Sequence, residues 1–380
     1  MINSERLAKT FTDLVQIDSV SRHEAKVAKE LENRLAQMGA HVCFDKAREK
    51  TGGDCSNLVA KFKGNRQTAP IFLSGHMDTV EPGNNIKVIF ENQVFRSDGT
   101  TILGADDKSA LAIILEVMET VIENNLPCPP VEIIFTVCEE IGLMGAKHLD
   151  LSLIESRFGY ILDSTDTKGI VTKAPSANKI SAIIHGRAAH AGAAPEKGVN
   201  AIYAASKAVS QMTLGRIDHE TTCNLGTISG GMATNIVPEQ VIVKGEARSH
   251  DPAKLERVTR EIVSHFENTI EQLRGQDDSP RVEVKVENDF PNTNIPEDHI
   301  AIKLAREAAA NLGRSLESKT IGGGADANIF FGKGIVAGVL GTGMTDVHTL
   351  NESICLDDMV NSAELILEIL RVHSLGETLQ

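Results

Sequence analysis

Short apolar runs that stop abruptly at a histidine or a carboxylate recur along this chain. The residues at these stops are His76, Asp106, Glu139, Asp163 and His348. Open α/β sheets bind ligands beyond the carboxyl ends of their strands, so we expect the five side chains to converge in one cleft. Imidazoles and carboxylates are the usual ligands of paired metal ions, and the pattern therefore favours a metal-dependent hydrolase.

The periodicity of the apolar residues predicts an α/β fold. Leu7 and Phe11 fall on one face of a predicted N-terminal helix, and a helix predicted over residues 108–124 carries an apolar stripe that includes Ile122. Residues 131–138 form a nearly continuous apolar strand, which is typical of a strand buried on both faces. We expect a mixed sheet flanked by helices.

The pattern changes between residues 178 and 289. The order there is βαββαβ, that of a ferredoxin-like unit, and its first helix, 199–213, places Ile202 on the predicted inner face. None of the five stops lies in this segment. We therefore interpret residues 178–289 as an inserted second domain, and residues 1–177 and 290–380 as one discontinuous domain that carries all five stops.

Charge and cysteine content exclude some classes of protein and favour others. The formal net charge of −14 argues against binding to nucleic acid or to anionic membrane lipid, since both attract a basic face. The six cysteines are scattered without close pairs, which predicts reduced thiols and a cytoplasmic location.

Each polar pair also has an ordinary interpretation. His76 and Asp78 share a strand face, so Asp78 can hold the second ring nitrogen of the imidazole, but such pairs are common by chance. Asp106 and the aspartate after it could simply cap a helix. Along a strand, Glu139 and Glu140 would point to opposite faces, so one would face a metal ion and the other could act as general base. Their spacing does not decide which glutamate has which role.

Four motifs run in order through nearly the whole chain, at residues 75–80, 98–108, 139–146 and 347–352. Together they resemble the motifs of the di-zinc aminoacylase and carboxypeptidase superfamily of metallopeptidases. Within that superfamily the chain is similar to the peptidase T-like tripeptide aminopeptidases.

The resemblance implies a complete ligand set for two divalent metal ions. Asp106 would bridge them, and the peptide bond after it would be cis. His76 and Asp163 would bind one ion. The ligands of the other ion would be Glu140 and His348. Zinc is the expected metal, with cobalt or manganese also suited to these ligands.

Other residues receive catalytic and substrate-binding roles from the same resemblance. Glu139 would be the general base and Asp78 would orient His76. The inserted domain matches the family's lid domain, and His190 in this lid would donate a hydrogen bond to the oxyanion. The expected substrate-binding residues are Asn235, Arg248, Gly323 and Gly324. An arginine suits a substrate carboxylate because its fork binds both oxygens. In some family members the lid histidine acts across a dimer interface, so a homodimer through the lid is a further expectation.

The function expected is therefore hydrolysis of the N-terminal peptide bond of short peptides by a metal-bound hydroxide. In this family an aspartate at position 163 favours aminopeptidases over carboxypeptidases and deacylases. The lid sequence around His190 is as close to the latter branch, so an N-acyl amino acid deacylase or a carboxypeptidase stays an alternative. A non-catalytic protein that binds peptides or assembles through its lid is the alternative of another class.

Overall fold

The computed structural model describes residues 1–275 and 279–376, and the chain divides into two compact units. The first unit comprises residues 1–172, 294–320 and 325–380, and the second comprises 173–293 with 321–324.

The predicted domains differ from these units at their edges. The insertion predicted at 178–289 is slightly shorter than the second unit, and residues 321–324 fall within the predicted discontinuous domain. Residues 276–278 and 377–380, which the predicted domains include, lie outside the described residues. The domain boundaries stay a prediction.

Helices and strands alternate along most of the chain. The first part contains α1 (Ser4–Val15), α2 (Ala25–Gln37), β1 (His41–Phe44), α3 (Arg48–Thr51), β2 (Leu58–Phe62), β3 (Ile71–His76), β4 (Val88–Glu91), β5 (Val94–Ser97), α4 (Ala105–Glu123), β6 (Val131–Thr136), α5 (Met144–Lys147), β7 (Phe158–Ser164) and β8 (Gly169–Ala174). The middle part contains β9 (Ser176–His185), α6 (Ala201–Val209), β10 (Gly215–Arg216), β11 (Thr221–Gly230), β12 (Gln240–Ser249), α7 (Pro252–Leu273) and β13 (Arg281–Phe290). The last part contains β14 (Thr293–Asn294), α8 (Ile300–Asn311), β15 (Glu317–Thr320), α9 (Asp326–Gly332), β16 (Val336–Gly341), β17 (Met344–Thr345), β18 (Ser353–Cys355) and α10 (Leu356–Leu375).

The first unit is built on a mixed sheet, as predicted. Its strand order is β1-β2-β6-β3-β7-β16-β8-β14, with β15 beside β8. Strand β3 runs parallel to β6 and β7, whereas β2 pairs with β6 in the antiparallel sense. Strand β6 is buried along its whole length, which confirms the prediction of burial on both faces. A second, smaller sheet has the order β17-β18-β5-β4.

The second unit has a βαββαβ order with one additional short strand, β10. Its sheet has the order β10-β11-β12-β9-β13, and β9 lies between β12 and β13 in antiparallel register. Helices α6 and α7 pack against this sheet through a core separate from that of the first unit.

Apolar periodicity predicts the inner face of some helices better than others. Leu7 and Phe11 of α1 are fully buried, as expected. Ile122 of α4 and Ile202 of α6 are 45% and 44% exposed, so their predicted core positions are wrong. Helix α6 instead turns four alanines inward, which lets its backbone approach the sheet closely; these are Ala201, Ala204, Ala205 and Ala208.

Within the described residues, the helices are all too short or too polar to cross a membrane.

Candidate metal centre

Parallel strands place part of the candidate site at one edge of the large sheet. Strand β3 ends at His76, β7 carries Asp163 next to its last residue, and the chain reaches Glu139 and Glu140 shortly after β6. Because β3 is parallel to both β6 and β7, their carboxyl ends meet at the same edge.

Three details of the predicted placement are wrong. The strand predicted over residues 131–138 ends at Thr136, so the two glutamates follow on a turn and not on the strand. Asp106 lies in the first turn of α4, and His348 lies in the loop between β17 and β18. Both residues therefore reach the site from outside the strands of the large sheet.

The Asp106 carboxylate lies between two imidazoles. His76 Nε2 is 3.0 Å from Asp106 Oδ1, and His348 Nε2 is 3.1 Å from Oδ2. The same His348 nitrogen is 2.9 Å from Glu140 Oε1. One ligand atom each from His76, Asp106 and Glu140 lie within 4.8 Å of one another. Each oxygen of Asp106 therefore has an imidazole nitrogen beside it. This arrangement is the one expected of a carboxylate that bridges two cations.

The start of α4 is shaped for this position of Asp106. The backbone angles of Asp106 and Asp107 are not helical, the N-cap residue is Gly104, which has no side chain, and the peptide bond between the two aspartates is cis, which confirms that expectation. The ordinary interpretation of the pair as a helix cap is therefore wrong. Asp107 is fully buried, and its Oδ2 accepts a hydrogen bond from the His76 amide at 3.1 Å.

Asp78 connects His76 to the turn that carries Glu139 and Glu140, which we call the glutamate turn. His76 Nδ1 is 2.9 Å from the Asp78 backbone carbonyl and 3.5 Å from its Oδ1. The carboxylate of Asp78 also accepts hydrogen bonds from the amides of Glu139 and Glu140, at 2.9 and 3.2 Å, and from Ser21 Oγ at 2.6 Å. Burial on its own would raise the pKa of Asp78, but the interaction with His76 and these donors lower it.

The neighbouring carboxylates raise the pKa of both imidazoles in the absence of metal ions. Hydrogen bonds to Asp106 and Glu140 raise the pKa of His348 to about 10. Burial would lower the pKa of His76, but its contacts with Asp106 and Asp78 outweigh burial and raise it well above its usual value. For Asp106 the directions are reversed. Burial alone would raise its pKa, but the hydrogen bonds and charges of the two imidazoles lower it.

Burial and neighbouring carboxylates dominate at the other acidic residues of the site. Burial, together with the charges of Asp106 and Glu140, raises the pKa of Asp163 well above its usual value. Burial also raises the pKa of Glu139, and nearby Asp163 and Asp326 add to the effect. A cleft that holds this many carboxylates favours cations, because buried charges are paired or bind metals. The donor set of imidazoles and carboxylate oxygens fits divalent ions such as zinc.

Two buried carboxylates at the site received no role from the sequence. Glu352 is 1% exposed and accepts hydrogen bonds from the amides of Leu103, Gly104 and Asp106, at 2.8, 2.7 and 3.0 Å. It thereby fixes the segment that leads into α4. Asp326 is 3% exposed and accepts a hydrogen bond from a threonine of β6, and burial raises its pKa to about 6. Glu352 ends the motif at residues 347–352, and Asp326 lies just after Gly323 and Gly324. The sequence analysis assigns roles in these segments to other residues.

His190 lies in the second unit, where two backbone amides fix its ring through one of the ring nitrogens. Its Nδ1 accepts hydrogen bonds from the amides of Gly192 and Ala193, both at 3.1 Å. The backbone of Asn235 is adjacent, since the Ala191 amide donates to its carbonyl at 2.9 Å. With Nδ1 as acceptor, the ring proton resides on Nε2, which leaves Nε2 as a donor. The roles of His190 and Asn235 stay predictions.

Arg248 of the second unit already has a carboxylate partner. Its Nε and Nη2 donate to the two oxygens of Glu246 at 2.9 and 3.1 Å, and its Nη1 donates to the Gly322 carbonyl at 3.3 Å. Gly323 and Gly324 continue this segment. Glu246 is a partner that the sequence did not indicate, and the substrate-binding roles of Arg248, Gly323 and Gly324 stay predictions.

Comparison with known proteins gives the family of the chain. Residues 72–372 match peptidase family M20/M25/M40. The protein YqjE of Bacillus subtilis (strain 168) is 43% identical over 371 residues, which cover 97% of this chain and 99% of that protein.

Two solved structures are similar over nearly the whole length. A tripeptidase from Staphylococcus aureus superimposes with a TM-score of 0.92 at 39% identity, covering 99% of this chain and 100% of that chain. The aminopeptidase PepT from Bacillus cereus gives a TM-score of 0.88 at 40% identity, with the same coverage. The expected resemblance is thereby confirmed. The family match spans the five candidate ligands as well as Glu139, and the chain belongs to peptidase family M20/M25/M40.

Proposed function

We propose that this protein is a metal-dependent aminopeptidase that removes the N-terminal residue of short peptides, tripeptides in particular. The observation that carries the proposal is the Asp106 carboxylate held between His76 and His348, with Glu139 on the adjoining turn. The likeness to a tripeptidase and to an aminopeptidase supports the choice of substrate.

The ligands proposed for two divalent ions follow from this arrangement. Asp106 would be shared by both ions, His76 and Asp163 would hold one of them, and Glu140 and His348 would hold the other. Zinc, cobalt and manganese all suit oxygen and imidazole ligands, and zinc is our first choice. When bound, the ions supply a Lewis acid for the peptide carbonyl and lower the pKa of water at the site.

The protein's own residues position the substrate and move the proton. Glu139 accepts a proton from the attacking water and returns it to the leaving amine as the peptide C–N bond breaks. Asp78 keeps Glu139 in place through the backbone of the turn. His190 Nε2 donates a hydrogen bond to the oxyanion. Asn235, Arg248, Gly323 and Gly324 bind the rest of the peptide.

A free N-terminal amine should be required for activity. We expect the metal-reconstituted protein to hydrolyse a tripeptide with kcat/KM at least about 100-fold above that of the same peptide acetylated at its N-terminus, because acetylation removes the charge and donors that an acidic site binds. Parallel assays of both peptides and of an N-acyl amino acid measure this ratio. Faster cleavage of the blocked substrates would instead identify a deacylase, and no cleavage of any peptide would favour a binding protein.

Glu352 should control metal affinity without binding metal itself. A Glu352→Gln substitution replaces an acceptor oxygen with an amide donor that faces backbone N–H groups, so the segment before Asp106 would shift. We expect metal affinity to fall about 10–100-fold, as measured by competition with a chelator. The matched control is Glu307→Gln on an exposed face of α8, which should leave affinity unchanged. Equal affinity in both variants would exclude this role for Glu352.

A homodimer formed through the inserted segment, and a cytoplasmic location, stay predictions.

A further inference from the structure

Glu24 is a buried carboxylate that the proposed reaction does not use. It is fully buried just before α2. Its Oε1 accepts hydrogen bonds from the amide of Cys138 at 3.0 Å and from the Cys138 thiol at 3.3 Å. Its Oε2 is also buried and has no hydrogen-bond partner within residues 1–275 and 279–376. A buried carboxylate oxygen without a partner is costly, so a ligand for it is expected.

Two further ligand groups lie next to the Glu24 carboxylate. One ligand atom each from Glu24, Asp54 and Cys55 lie within 4.8 Å of one another. The loop that carries Asp54 and Cys55 is held against the start of α2, since the Asp54 amide donates to the Arg22 carbonyl at 3.0 Å and Asp54 Oδ1 accepts from the Ala25 amide at 2.9 Å. The three groups are therefore positioned by the backbone.

Structural roles account for only part of this cluster. Asp54 Oδ1 acts as a cap for α2, and Glu24 Oε1 holds the backbone at Cys138. Neither role uses Glu24 Oε2 or the Cys55 thiol. These two groups, with the second oxygen of Asp54, are the ligand atoms that remain.

We propose that Glu24, Asp54 and Cys55 form an additional cation site that binds a thiophilic divalent ion such as Zn²⁺, Cd²⁺ or Co²⁺. One sulfur and two carboxylate oxygens favour borderline-soft ions over magnesium or calcium. Binding releases the thiol proton, because the thiolate is the form that ligates metal. The site shares no residue with the centre at Asp106.

An ion at this site would connect three parts of the first unit. Glu24 contacts Cys138, the residue before Glu139, while Asp54 and Cys55 belong to the loop after α3. The ion would therefore join the start of α2, this loop and the backbone of the glutamate turn. Its role would be structural, since none of its ligands belongs to the proposed reaction.

Cobalt titration tests the site, because a thiolate bound to Co²⁺ gives a charge-transfer absorption in the near ultraviolet. The centre at Asp106 has no thiolate ligand and cannot produce this absorption, so the result does not depend on the proposed function. We expect the absorption in the wild-type protein and its loss in Cys55→Ser, while Cys43→Ser retains it. Glu24→Gln, which keeps an acceptor for the Cys138 amide, should weaken Co²⁺ binding at this site at least tenfold.

Thermal unfolding of the metal-free variants shows whether each one is folded. Peptidase activity of Cys55→Ser should match that of the wild-type protein. Three results would each overturn the proposal: no absorption in the wild-type protein, absorption that persists in Cys55→Ser, or loss of absorption in Cys138→Ser alone.

Discussion

Replacement of Glu139 with glutamine is expected to lower kcat for a tripeptide by about 10²–10⁴-fold, the usual contribution of a positioned general base. Glutamine has nearly the same shape as glutamate but cannot accept the proton of the attacking water. Its backbone amide would still donate to Asp78 at the position seen now. Steady-state kinetics with the metal-reconstituted variant measures the effect.

The metal content of the Glu139→Gln protein separates two roles for this residue. As a base it binds no metal, so elemental analysis should find the same content as in the wild-type protein. Glu196→Gln, at an exposed position of the second unit, serves as the control and should keep full activity. Retained activity in Glu139→Gln would refute the assigned role, and loss of metal would show that Glu139 is a ligand.

Replacement of Asp106 with asparagine is expected to abolish both metal binding and turnover. The carboxylate offers one oxygen to His76 and the other to His348, and an amide retains only one oxygen and no charge. A bridging ligand needs both oxygens, so neither ion would be held tightly. Elemental analysis after reconstitution and gel filtration, together with a tripeptide assay, gives both results.

An exposed aspartate in the same motif provides the matched control for Asp106. Asp98 lies in the preceding loop, and its carboxylate contacts Thr100 and Lys87. Asp98→Asn should therefore retain metal and activity. Normal metal content in Asp106→Asn would contradict the bridging role.

Local patterns in the sequence were sufficient to predict the general fold. The buried strand β6 and the inner face of α1 follow from runs and periodicities of large apolar residues, and both predictions are confirmed. The same method fails for α6, because its inner face is made of alanines and Ile202 points outward. Size and hydropathy are poor guides where a helix packs closely through small residues.

The sequence motifs predict which residues form the candidate site, but they predict less well where the fold places each residue. The proximity of residues on adjoining parallel strands, such as His76 and Asp163, can be predicted from the strand order. The positions of Asp106 and His348 cannot, because they depend on a non-helical start of α4 and on a loop. The proximity of these two side chains depends on contacts between distant parts of the chain.

Buried carboxylates to which the sequence assigns no role were missed for the same reason. Glu352 binds the backbone at Leu103 across 249 positions of sequence, and Glu24 binds Cys138 across 114. An isolated glutamate in a sequence is most often a surface residue. Only the fold shows that these two are enclosed.

The proposed bridging of two divalent ions by Asp106 can be tested by crystallography. Crystals of the zinc-reconstituted protein would be measured at the zinc absorption edge. We predict two anomalous peaks about 3.5–4 Å apart, one on each side of the Asp106 carboxylate, with His76 on one peak and His348 on the other. A single peak there, or zinc bound only elsewhere in the molecule, would contradict the account.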